Sequence, residues 1–187
     1  MPIPSIQNNP YSTNNNLDRL IDEERSYDIS QLAEQLHLNI PKLNKEQHQI
    51  YNEIMQAVNN GSGYFFIDGP AGTGKTFLYN TLLANIRSRG DIAIAVASSG
   101  IATLLINGDR TAYFRFKIPL KVDEFSTCNI SCNSQLARLI NVAKLFIWDE
   151  APMMYKFAFE AVDRTFHDIT QIDKLFGGKV FVLRGEF

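Results

Sequence analysis

Residues 69–76 read Gly-Pro-Ala-Gly-Thr-Gly-Lys-Thr and match the pattern G-x-x-x-x-G-K-[ST] at every fixed position. No other stretch of this 187-residue chain restricts its fold as tightly. Glycines in such a loop let the main chain bend into a nest whose N–H groups converge on phosphate oxygens, while the helix that follows aims the positive end of its dipole at the same anion. The loop needs a strand before it and a helix after it, and both are predicted. Tyr64–Asp68 is a short apolar strand, and a helix runs from about Thr76 to Arg89, where Gly90 stops it. In this pattern Gly69, Gly72, Thr73 and Gly74 shape the cradle, Lys75 neutralises the β- and γ-phosphates, and the Thr76 hydroxyl binds Mg²⁺.

Beyond the loop, short apolar strands alternate with helices. Ile92–Ala97, Leu145–Asp149 and Val180–Leu183 are nearly continuous in apolar residues, as strands covered on both faces should be. Helices near Gln135–Val142 and Phe157–Ile172 supply crossovers, so a parallel four-stranded α/β sheet is expected. The strand Leu145–Asp149 ends in the carboxylates of Asp149 and Glu150. Paired with the phosphate loop, this is a Walker-B arrangement: Asp149 to hold Mg²⁺, Glu150 to orient or deprotonate an attacking water. The chain ends two residues after Gly185, where an α/β fold would run on, and a truncated domain is expected.

Upstream, residues 1–16 are rich in Asn, Pro and Ser, carry no charged side chain and read as a flexible leader. Residues 17–60 form a helical extension: two short amphipathic helices within Leu17–Leu38, then a stronger one from Asn44, where Gln47 stands at the capping-box distance and Gly61 closes the helix. Residues 61–187 form the P-loop unit. The formal charge of −2 excludes a polycation that binds DNA through bulk charge. The apolar runs are too short to cross a bilayer, so a soluble, unsecreted chain without a membrane partner is expected. Cys128 and Cys132 are too few for a disulfide framework or a structural zinc site, since His37, His48 and His167 are scattered. Met153 and Met154 are expected to fill core gaps, and Phe157, Phe159, Ala161, Val162 and Phe166 to form a packing face.

Leu43-Asn44-Lys45-Glu46-Gln47, the phosphate loop, Ala97-Ser98-Ser99-Gly100-Ile101-Ala102, Ile147-Trp148-Asp149-Glu150-Ala151-Pro152-Met153 and Phe176-Gly177-Gly178-Lys179-Val180 follow one another in this order. The ordered set resembles the Pif-type family of superfamily-one ATP-dependent DNA helicases, including those encoded by Helitron transposons. The resemblance implies a RecA-like P-loop NTPase domain, α/β with a parallel sheet, taken from the N-terminal part of a two-domain motor. It implies ATP and Mg²⁺ as cofactors, ATP hydrolysis coupled to DNA unwinding, single-stranded DNA as partner, and a nuclear setting. It further implies that Gln47 reads the adenine edge and that Ser98, Ser99 and Gly100 meet DNA phosphates. Two departures stand out. Tyr113 and Phe114 replace the family's His and Ser after Thr111-Ala112, and Arg184-Gly185-Glu186-Phe187 stands where the family continues through Gly-Asp-Phe to a glutamine sensor.

Between Asn107 and Lys121, the cations Arg110, Arg115, Lys117 and Lys121 interleave with Tyr113, Phe114 and Phe116. This suits stacked bases and bound phosphates, with Arg115 the expected DNA contact; a packed segment with solvated cations fits the same residues. Two functions therefore stay open: a helicase motor ATPase, or an idle nucleotide-binding remnant of a transposon-derived gene. A GTPase would need N-K-x-D, which Asn44-Lys45-Glu46-Gln47 does not supply, and a small-molecule kinase leaves the Trp148–Met153 segment unexplained.

Overall fold

A computed structural model describes residues 18–69, 72–100 and 110–185. The expected leader lies outside them, as do Ile101, Ala102, the Asn107–Asp109 part of the basic window, and Glu186 and Phe187.

Three helices open the described chain: α1 (Arg19–Arg25), α2 (Ile29–Asn39) and α3 (Lys45–Asn60). Asp28 caps α2 by accepting a bond from the Gln31 N–H at 3.0 Å. At the start of α3 the expected capping box forms: the Asn44 side chain accepts from the Gln47 N–H at 2.9 Å, and the Asn44 N–H donates to Gln47 Oε1 at 3.0 Å. Gly61 ends α3 in the left-handed region, at φ 80°.

The α/β unit follows with β1 (Gly63–Asp68), α4 (Lys75–Ser88), β2 (Ala93–Ala97), β3 (Arg110–Thr111), α5 (Ala112–Arg115), α6 (Gln135–Val142), β4 (Leu145–Asp149), α7 (Lys156–Thr170) and β5 (Val180–Gly185). The strands make one sheet in the order β1-β5-β4-β2-β3, and every pair is parallel. Among the described residues the sheet thus holds five strands rather than four, because Arg110 and Thr111 pair with Val96 and Ala97. A two-residue strand carries no periodicity, so its sequence does not show it.

Alternation along the inner strands builds a separate core on each face. Ile94, Val96, Phe146, Trp148, Phe181 and Leu183 join residues of α5, α6 and α7 on one face. Ala93, Ala95, Ile147 and Val182 join Leu78, Tyr79 and Leu82 of α4 on the other, together with Tyr51, Ile54, Met55 and Val58 of α3. The helical extension therefore shares a core with the P-loop unit, and α2 packs along α4. An aromatic cluster fills the first core, with Phe146 and Phe181 stacked 4.9 Å apart and Phe166 set edge-on to both.

One sequence expectation about packing is corrected, and one strand differs from the rest. Met154 is buried but Met153 is exposed, since the turn of 3₁₀-helix at Ala151–Met153 points consecutive side chains in different directions. The strand β1 is covered on one face only; Tyr64 and Phe66 lie exposed at the sheet edge, because β1 has a neighbour only on the β5 side among the described residues.

Candidate functional site

All strands being parallel, their C-terminal ends meet at one rim of the sheet, the usual place for a ligand in open α/β folds. Asp68 ends β1, Ala97 ends β2, Asp149 ends β4 and Gly185 ends β5. The phosphate loop leaves β1 at this rim and enters α4 at Lys75.

Gly74 stands immediately before α4 with φ 77°, and Gly72 has φ 82°. Both lie where a side chain would be strained. At Gly74 a Cβ would also lie 2.6 Å from Gln47 Nε2, so that amide would have to shift. That amide donates to Thr73 O at 3.1 Å and to Gly74 O at 3.4 Å while its oxygen holds the Asn44 N–H. Gln47 thus ties the start of α3 to the loop. The Lys75 side chain is buried and folds back over the loop, donating to Gly69 O and reaching Thr73 Oγ1 at 3.4 Å.

Opposite the loop, Asp149 is only 2% exposed. Burial pushes its carboxyl above the usual carboxylate range, while the Arg184 guanidinium and the Glu150 N–H, which donates to Asp149 Oδ1 at 2.8 Å, pull the other way. Arg184 comes from the end of β5, which runs between β1 and β4. Its Nη1 donates to Asp149 Oδ2 at 2.8 Å and to Thr76 Oγ1 at 3.1 Å. Thr76 and Asp149 are therefore brought together as expected, through an arginine that sequence reasoning did not single out. A cation following an apolar strand was visible, but that β5 lies between the other two strands was not.

Glu150 adopts the left-handed region at φ 52° and accepts a bond from the Ser99 hydroxyl at 2.6 Å. Ser98 accepts from Trp148 Nε1 at 3.0 Å, and its N–H donates to Asp149 O at 3.1 Å. Ser98, Ser99 and Gly100 thus sit beside the carboxylates at the rim, with Gly100 exposed.

The expectation that Arg115 meets DNA is corrected. Arg115 is 7% exposed and its Nη2 bonds Glu24 of α1, so the side chain turns inward as half of a buried ion pair. Phe116 is likewise a core residue. Arg110, Phe114, Lys117 and Lys121 remain on the surface, with the Arg110 guanidinium 5.2 Å from the Phe114 ring centre. Arg110, Tyr113, Phe114 and Lys117 line a cavity of about 880 Å³ with Arg19 of α1. Both cysteines are unpaired by disulfide, Cys128 buried and Cys132 exposed. Among the described residues no three His, Cys, Asp or Glu side chains cluster as a metal site. No helix among them is long and apolar enough to cross a membrane.

A parallel sheet, a glycine-bent loop at its rim and a buried carboxylate facing the loop's threonine define a P-loop nucleotide-binding domain with the RecA-like arrangement. A sequence model of the PIF1-like helicases matches residues 42–187, and the chain belongs to that family. It is 29% identical over 149 residues to the ATP-dependent DNA helicase PIF1 of Mus musculus, an alignment covering 79% of this chain and 22% of the relative. The Pif1 helicase of Psychrobacter sp. (strain PRwf-1) is 29% identical over 123 residues, covering 65% of this chain and 19% of the relative. Among solved structures, Bacteroides Pif1 in complex with ADP-AlF3 and ssDNA aligns with a TM-score of 0.65 and 26% identity, over 77% of this chain and 32% of that one. The chain thus spans about a fifth of the length of its curated relatives and about a third of that solved structure.

Proposed function

We propose that this chain forms the nucleotide-binding part of an ATP-dependent DNA helicase motor, binding ATP in the loop Gly69–Thr76 and single-stranded DNA across the rim at Ser98–Gly100. One observation carries the reading: the loop, Lys75, Thr76, Asp149 and Glu150 converge at one rim although they come from two strands separated by β5. Loop amides and Lys75 would bind the phosphates, with the α4 N-terminus adding its dipole. Glu150 is the base that would take a proton from the attacking water, held in place by the Ser99 hydroxyl. Gln47 would turn its amide from Thr73 and Gly74 to the adenine edge when nucleotide enters; an amide offers the donor and acceptor that adenine requires.

Mg²⁺ belongs to this reading as the nucleotide's counter-ion, supplying charge neutralisation of the β- and γ-phosphates when bound. Thr76 Oγ1 and Asp149 Oδ2 are the oxygens that would hold it. They are of the kind that binds a hard cation, but the point on which they converge is held by Arg184 Nη1, so a metal would enter only where that arginine leaves.

The test is binding of a fluorescent ATP analogue, followed by hydrolysis with and without single-stranded DNA. Lys75→Ala should weaken binding by at least about tenfold, as loss of a charge-assisted phosphate contact does, with the circular dichroism spectrum unchanged. Equal affinity would refute the loop assignment. A second reading, nucleotide binding without turnover, is favoured by Arg184 lying on both oxygens of the cation position. Multiple turnovers stimulated by DNA would exclude it.

A further inference from the structure

We propose that Arg184 is a resident cation of the phosphate site, standing where a divalent metal would stand, so that this domain takes up nucleoside triphosphate without a metal and Mg²⁺ competes with Arg184 for Thr76 and Asp149. The proposal rests on the nucleotide-binding reading above and adds to it the identity of the charge that accompanies the phosphates. A single nitrogen, Nη1, touches both oxygens, at 2.8 Å to Asp149 Oδ2 and 3.1 Å to Thr76 Oγ1. A magnesium ion would need the same oxygens at about 2.1 Å. Two cations cannot share that point, so one excludes the other.

The fold delivers this arginine and holds it there. Trp148 pairs with Leu183 between β4 and β5, which sets Asp149 and Arg184, the next residue on each, side by side. On the other side β5 pairs with β1, the strand from which the phosphate loop springs. Arg184 therefore stands between loop and carboxylate by register. Tyr79, fully buried on α4 one turn beyond Thr76, lies under the guanidinium with its ring centre 5.7 Å from Cζ. Asp149 is buried and needs a counter-charge. Arg184 supplies one from the chain itself, through its bond to Asp149 Oδ2. The guanidinium carries five N–H donors in a planar fork, more than the bonds to Thr76 and Asp149 use. A phosphate oxygen can be taken up without releasing Asp149.

The decisive measurement is the affinity of the full chain for a non-hydrolysable fluorescent ATP analogue, in EDTA and in Mg²⁺, for the native protein and for Arg184→Met. The native chain should bind at least about threefold more weakly in Mg²⁺ than in EDTA, because the metal holds the phosphates that Arg184 would meet, whereas Arg184→Met should lose at least about tenfold in EDTA and recover in Mg²⁺. Manganese electron paramagnetic resonance provides a readout independent of affinity. Mn²⁺ added with the analogue should give a protein-bound spectrum with Arg184→Met and only the free metal–nucleotide spectrum with the native chain. Arg184→Lys, which keeps the charge, guards against a folding defect in the methionine variant and should retain binding in EDTA. A native chain that needs Mg²⁺ for binding, or binds Mn²⁺ as Arg184→Met does, would overturn the proposal while leaving the nucleotide site intact. Absence of binding in every condition would overturn both.

Discussion

Gln47 illustrates how much a single side chain can be asked to do. Its backbone N–H and its amide oxygen close the capping box with Asn44, and its amide nitrogen bonds the carbonyls of Thr73 and Gly74. Stability of α3 and the shape of the phosphate loop are therefore linked through one residue. Gln47→Ala is expected to cost about 1 kcal/mol, the typical worth of a cap element, measured as a lowered midpoint in urea. The same variant should bind ATP and GTP analogues equally, while the native chain should prefer ATP; a preference that survives would remove Gln47 from adenine reading. The capping box was legible because Asn44 and Gln47 stand three residues apart before an apolar face. The bond to the loop was not, since it joins residues 26 and 27 positions apart.

At the scale of elements, α1 is fastened to α5 by the Glu24–Arg115 pair, in which both partners are about nine-tenths buried. Removing one partner strands the other charge away from water. Glu24→Ala should destabilise the chain by about 3–5 kcal/mol, the usual penalty for breaking a buried pair, read from urea unfolding. The double variant Glu24→Ala with Arg115→Met should regain most of that loss, because an apolar replacement leaves no charge to solvate. Recovery would also show that Arg115 acts in the fold rather than in DNA binding. Charge and ring content alone suggested an exposed basic strip here. Only the packing of α5 against the sheet separates Arg115 and Phe116, which face inward, from Phe114 and Lys117, which face out.

Across the whole molecule, the two cysteines report on folding. Cys128 lies in the core beneath α7, its N–H bonded to Thr165 Oγ1 at 2.8 Å, whereas Cys132 is exposed. A maleimide at neutral pH should label one thiol in the native chain and two after denaturation. Burial also lifts the Cys128 thiol from 9.0 to about 11. Between those values the folded chain keeps a proton that the unfolded chain has lost, so stability falls as pH rises through this window and is fully present below it. Cys128→Ala should flatten that fall in urea midpoints between pH 8 and pH 11, and an unchanged slope would show that Cys128 does not contribute.

Much of this molecule follows from local rules that act within a few residues. The α3 cap, the Gly61 and Gly90 stops, the apolar strands and the phosphate loop each obey a short-range pattern, and so the class of fold and most of the rim were readable before any coordinates. The order in which strands lie side by side is not a local property. Parallel strands are joined by crossovers that leave more than one neighbour open, and β5, the last of the described strands, inserts between β1 and β4. That insertion brings Arg184 onto Thr76 and Asp149, and the packing of both sheet faces turns Arg115 inward and Ser99 towards Glu150. Sequence alone thus determined which chemical groups stand at the strand ends; tertiary structure decided which of them touch, because contact between residues far apart along the chain is set by sheet order and burial.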